Sequence, residues 1–152
     1  MNTFLLLGDS GCGKTTYLTR MKTGKFTKQF QPTHGFNEVI VNDTRIIEYG
    51  GGSKFDTIDL QSKLEEIDGV ILMFDLTSCL SYQNLAYWKK QIGDKPYLVI
   101  GNKSDIADNR KITPQQIALD IKENSFEYYD LSAKTLSNQD KPFLGLQQQL
   151  TC

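Results

Sequence analysis

An apolar run that breaks into glycines constrains this chain more than any other feature. Phe4-Leu5-Leu6-Leu7 leads directly into Gly8-Asp9-Ser10-Gly11-Cys12-Gly13-Lys14-Thr15. Thr15 to Lys22 follows, with Tyr17, Leu18 and Met21 on one helical face. The order is strand, glycine loop, helix, and the eight loop residues fit G-x-x-x-x-G-K-[ST]. In such a unit the loop's backbone N–H groups converge on phosphate oxygens, and the helix N-terminus adds partial positive charge. The residues expected around the phosphates are Asp9, Ser10, Gly11, Cys12, Gly13, Lys14, Thr15 and Thr16. Lys14 would reach the β- and γ-phosphates, and Thr15 would present its hydroxyl to Mg²⁺.

The rest of the chain repeats the alternation of strand and helix. Gly24 stops the first helix, and Lys25 to Phe36 reads as a loop. Glu38 to Val41 and Arg45 to Tyr49 read as a hairpin turning at Asn42-Asp43. After Gly50-Gly51-Gly52, the residues Ile58, Leu60, Leu64 and Ile67 suggest a helix. Val70 to Phe74 reads as a buried strand, and Leu85, Trp88 and Ile92 share a helical face. Tyr97 to Ile100 and Phe126 to Leu131 read as two more strands. Thr113-Pro114-Gln115-Gln116 opens a helix, with Thr113 as N-cap, Pro114 in the first position and Gln116 completing a capping box. A last helix is expected from about Lys141 to Leu150, capped by Asp140. Near-continuous apolar strands joined by amphipathic helices imply an α/β fold. The expectation is one domain over residues 1–152. Its six-stranded sheet would be mostly parallel, with one antiparallel edge strand and helices on both faces.

Two later motifs follow predicted strands, at the end where open α/β sheets bind ligands. They are Asn102-Lys103-Ser104-Asp105 and Ser132-Ala133-Lys134. A carboxylate at Asp105 can accept from guanine N1–H and the N2 amino group. Adenine offers neither donor there, and a desolvated carboxylate left unpaired costs on the order of 1–3 kcal/mol. Lys103 can lie along the base plane, and the Ala133 N–H can donate to guanine O6. Asn102, Lys103, Asp105, Ser132, Ala133 and Lys134 therefore form the expected base site.

Composition narrows the partners. A net charge of −1 over 152 residues implies no general attraction to nucleic acid or anionic membrane. Lys22, Lys25 and Lys28 read as a solvated face. Three distant cysteines, Cys12, Cys79 and Cys152, fit neither a disulfide framework nor a metal site, which suggests a reducing compartment. Cys12 reads as a packing residue and His34 as a solvated loop residue. No signal peptide or membrane helix is expected. Cys152 does not head a four-residue prenylation box, so no lipid anchor is expected. A soluble protein of a reducing compartment is the resulting expectation.

The three motifs, in this order, resemble the Ras superfamily of small GTPases, and the similarity is greatest to its Ran branch. It covers nearly the whole chain. Tyr128-Tyr129-Asp130-Leu131-Ser132-Ala133-Lys134, Lys141-Pro142-Phe143-Leu144, Phe74-Asp75-Leu76-Thr77-Ser78, Asn84, Trp88 and Thr23-Gly24-Lys25-Phe26 carry it. The resemblance implies a G domain binding GTP or GDP with Mg²⁺. It implies that Phe26 packs on guanine and that Thr33 closes over Mg²⁺ and the γ-phosphate. It further implies that effectors or regulators dock on residues 25–60 of a monomer in the cytoplasm, the nucleus or both.

Where the superfamily's second switch opens with D-x-A-G-Q, this chain has Glu48-Tyr49-Gly50-Gly51-Gly52. Gly51 keeps an N–H that can sense the γ-phosphate. Glu48 carries its carboxylate one methylene further out. Gly52 has no side chain to orient the attacking water, which predicts hydrolysis slower by roughly 10²-fold or more. Three successive glycines also raise the entropy lost on ordering this segment. The hairpin is shorter than in the Ran branch, Lys122-Glu123-Asn124 replaces a basic cluster, and no acidic tail follows Cys152. The candidate catalytic set is Lys14, Thr33, Gly51 and Gly52, with Thr15 and Thr33 as metal ligands. Two readings stand: a switch with slow hydrolysis, or a non-hydrolysing module that occupies partners while loaded with GTP. A small-molecule kinase is disfavoured by the guanine motifs and by the lack of an arginine-rich lid.

Overall fold

The computed structural model describes residues 2–9, 14, 17, 36–41, 44–49, 64–103 and 111–130. These build one six-stranded sheet. Its strands are β1 (Asn2–Leu7), β2 (Phe36–Val41), β3 (Thr44–Tyr49), β4 (Gly69–Asp75), β5 (Tyr97–Asn102) and β6 (Glu127–Asp130). Their spatial order is β2-β3-β1-β4-β5-β6. All neighbouring pairs are parallel except β2 with β3. That pair joins Val41 to Thr44, so two residues connect the strands.

Burial explains the apolar runs. Phe4 to Leu7 are all fully buried, and so is the whole of β4. Alternate residues of a strand face opposite sides of the sheet. Leu5, Leu7, Ile47, Val70, Leu72, Phe74 and Val99 pack in one cluster with Leu64, Ile67, Trp88, Ile92, Ile112 and Ile117. The residues between them, including Phe4, Leu6, Ile71, Met73 and Ile100, are equally buried. Both faces are therefore covered, as near-continuous apolar parallel strands require.

The described helices are α1 (Cys79–Gln83), α2 (Leu85–Ile92) and α3 (Pro114–Asn124). No apolar periodicity in the sequence announces α1. Ser78 starts it by accepting from the Ser81 N–H at 3.2 Å. Asn84 then joins it to α2, whose Trp88 and Ile92 are buried. Gly93 ends α2 at φ 61°, a left-handed conformation that favours glycine. Thr113 caps α3 by accepting from the Gln116 N–H at 3.1 Å. The expected reciprocal half of the capping box is not formed. The Gln116 side chain turns along the helix to the Asp120 carboxylate, at 3.3 and 3.4 Å. A partner one turn away on the same face competes with the cap for that amide.

Two boundaries also move. β2 begins at Phe36, inside the expected loop. Leu64 has helical backbone, but Ile67 lies beyond the helix in a turn, with its N–H on the Leu64 carbonyl at 3.2 Å. Both are buried, so their apolar character reports the core and not a shared helix. Lys14 and Tyr17 are helical, in keeping with the helix expected after the glycine loop. The rest of that helix, most of the loop at 25–36, the turn at 42–43 and the last helix lie outside the described residues.

Candidate functional site

The chain leaves β1 for β2 and β3 on one side and crosses to β4 on the other. The sheet thus reverses direction around β1, and ligands of open α/β sheets bind at such a reversal, beyond the strands' C-terminal ends. Gly8 and Asp9 lie there. The Lys14 ammonium donates to the Gly8 carbonyl at 2.7 Å and to the Asp9 carbonyl at 2.9 Å, and Lys14 is only 5% exposed. Burying an ammonium costs several kcal/mol unless its protons are bonded. The two carbonyls each take one of its protons. A buried cation at the crevice mouth suits a polyphosphate ligand.

Asp9 is anchored a second time. Its carboxylate accepts from the Asn84 amide at 2.6 Å and from the Trp88 indole N–H at 3.0 Å. The acidic side chain is thereby directed at the start of α2. Glu48 pairs in register with Leu6, two residues before Gly8, and is 2% exposed.

The second half of the site lies at the ends of β4 and β5, where Asp75 and Asn102 are in register. Asn102 is buried, and its side-chain carbonyl accepts from the Lys103 N–H at 2.8 Å. Lys103 stands at φ 71°, uncommon for a residue with a side chain. Its ammonium holds the Asp75 carboxylate at 2.7 Å. The other oxygen of Asp75 accepts from the Thr77 N–H at 2.8 Å and the Thr77 hydroxyl at 2.6 Å. The Ser81 hydroxyl accepts from the Asp75 N–H at 2.9 Å. Gly101 lets this edge close, because a Cβ there would lie 2.1 Å from the Tyr128 hydroxyl. The Tyr128 ring stacks on Phe74 with centroids 6.1 Å apart, and its hydroxyl donates to Asp130.

Asp9, Lys14, Asn102 and Lys103 therefore come to one edge of the sheet from two strand ends, those of β1 and β5. Ser10, Gly11, Cys12, Gly13, Thr15, Thr16, Phe26, Thr33, Gly51, Gly52, Asp105, Ser132, Ala133 and Lys134 lie outside the described residues. The structure adds Asp75, Thr77, Asn84 and Trp88, which were not read as site residues. Asp75 had a legible signal: a lone carboxylate ending a buried strand needs a partner. Asn84 and Trp88 had only their place in the family resemblance, because they meet Asp9 across 75 and 79 positions of sequence.

The Ras family model matches residues 3–152. The chain belongs to the Ras family. The GTP-binding nuclear protein GSP1 of Encephalitozoon cuniculi (strain GB-M1) is 35% identical over 161 aligned positions, spanning 96% of this chain and 74% of that protein. Within the Ras superfamily the chain is a Ran-like, GTP-binding small GTPase. Ras-family proteins bind GTP and GDP, typically with Mg²⁺, and the buried Lys14 ammonium fits that ligand's phosphates. No helix among the described residues is long and apolar enough to cross a membrane.

Proposed function

We propose that this Ran-like switch binds GTP and GDP tightly and hydrolyses GTP slowly. The observation that carries the binding half is the Lys14 ammonium, buried and held by the loop's own carbonyls at the sheet's reversal point. Backbone N–H groups of residues 9–16 would cradle the phosphates. Asn102, Lys103, Asp105, Ser132, Ala133 and Lys134 would select guanine, with Phe26 against the base. Thr15 and Thr33 would hold Mg²⁺ by their hydroxyls. When bound, the metal supplies positive charge at the β- and γ-phosphates.

The turnover half rests on residues 48–52. Gly51 would sense the γ-phosphate by its N–H, while Gly52 offers the attacking water no side chain. Removing one transition-state donor costs roughly 10²–10³-fold in rate. Effectors or regulators would dock on residues 25–60, where Ile40 of the edge strand β2 is 57% exposed. The name of the Encephalitozoon cuniculi relative supports a nuclear setting.

Single-turnover GTP hydrolysis by the wild type and by Gly52→Gln tests this reading. We expect the variant to be faster by roughly 10²-fold. A wild-type rate equal to that of the variant would remove the crippled-turnover claim. No hydrolysis in either, with GTP retained through purification, would favour the non-hydrolysing module instead.

A further inference from the structure

A phosphate-binding loop that opens with a carboxylate has an electrostatic problem. Asp9 is the second residue of the loop, and its negative charge would oppose a polyphosphate lying over the loop. The geometry answers this with two donors from a distant part of the chain. Asn84 sits between α1 and α2, and Trp88 is one turn into α2. Their amide and indole N–H groups take one carboxylate oxygen each, at 2.6 and 3.0 Å. The same residue's carbonyl takes the Lys14 ammonium at 2.9 Å. Asp9 is thus pinned by its side chain to α2 and by its main chain to the lysine.

Donors to an ionised acceptor are roughly twice as strong as neutral ones and define a direction. Trp88 is also well supported. It is 5% exposed and packed in the core cluster with Leu72 and Ile92. A rigid indole edge is a good fixed point for a loop otherwise rich in glycine.

We propose that Asn84 and Trp88 are positioning residues of the phosphate loop, holding the Asp9 carboxylate away from the bound phosphates and so slowing nucleotide release. This rests on the proposed binding of guanine nucleotide at Lys14. The test is the dissociation rate of a fluorescently labelled GDP from full-length protein. Trp88→Phe removes the indole N–H and keeps an aromatic ring, and we expect release roughly tenfold faster. Asn84→Ala is expected to speed it roughly fivefold. In an Asp9→Ala background, each should change the rate by less than about twofold, because the acceptor is gone.

A purely structural Trp88 would speed release equally in both backgrounds, and that result would overturn the proposal. Should Trp88→Phe fold poorly, Asn84→Ala carries the same comparison from a part-exposed position. Wild type that retains GDP, with release unaltered in Asn84→Ala, would sink this proposal alone. Wild type that retains no guanine nucleotide would sink the binding reading and this one with it.

Discussion

The two ends of the candidate site each hold a lysine, and they hold it differently. Lys14 is fixed by two neutral backbone carbonyls. Lys103 is fixed by the carboxylate of Asp75, and it sits on a residue forced to φ 71°. Carbonyl dipoles orient an ammonium along the loop that supplies them. A carboxylate cancels the charge and leaves the aliphatic stem as the useful part. The phosphate end therefore buries its ammonium against the backbone, and the base end ties its ammonium to a carboxylate. A phosphate calls for charge, whereas the flat face of a base calls for a fixed apolar stem.

The largest effect should come from the end whose ammonium is buried. Lys14→Met retains the length of the stem and removes the ammonium. We expect guanine-nucleotide affinity to fall by roughly 10²-fold or more, the worth of one or two charge-assisted bonds to phosphate. Titration with labelled GDP reads this directly. Folding should survive, because an apolar chain replaces a buried cation whose desolvation was itself costly. Equal losses for Lys14→Met and Lys103→Met would break the comparison.

Asp75→Asn sharpens it from the other end. The amide keeps a carbonyl for Thr77 but loses the charge that balances Lys103. Lys103 is over a third exposed along its side chain, so the ion pair is partly screened and worth only about 1 kcal/mol. We expect affinity to fall roughly fivefold, with more of the loss in discrimination against adenine nucleotides than in phosphate binding. Competition of labelled GDP against GDP and ADP separates the two. A loss shared equally between both nucleotides would mean that Asp75 supports the fold and not the base site.

How much of this was legible depends on how far apart the partners lie in sequence. The apolar runs at Phe4–Leu7 and Val70–Phe74 announce buried parallel strands, since only a sheet covered on both faces tolerates such runs. The N-cap at Thr113 is local chemistry and lies where local rules put it. The cap's return bond failed because Asp120, one turn on, offers the Gln116 amide a charged acceptor. Lys14 was legible because its motif is contiguous. Its carbonyl partners lie five and six residues away, and the tie of Asp9 to α2 crosses more than 70 positions. Periodicity has no reach over such distances. Helix α1 was missed for a related reason: its five residues hold little apolar pattern, and it is set by the Ser78 and Ser81 hydroxyls at the end of β4.

The smallest effect belongs to a contact that touches neither end. The Tyr82 ring meets Phe74 edge-on at 4.8 Å between centroids, and its hydroxyl donates to Asp120 on α3. It thus ties α1 to α3 on the helical face of the sheet. Burial first, then the hydrogen bond and charge of Asp120, pushes the Tyr82 phenol well above its ordinary 10.0. The folded protein then keeps a proton that the unfolded chain releases above about pH 10. Stability from this group is complete below that pH and drains away as pH rises beyond it. Tyr82→Phe should lower stability at pH 8 by about 1 kcal/mol, the net worth of a part-exposed hydrogen bond. It should also flatten the decline between pH 10 and 11.5, leaving only the slope that other groups supply. Urea denaturation across that range, with GDP release measured on the same samples, decides the matter. Release should stay within about twofold of wild type. Faster release would mean that the α1–α3 contact reaches the site through Phe74 and Asp75, and the two ends could no longer be treated as independent of the helices behind them.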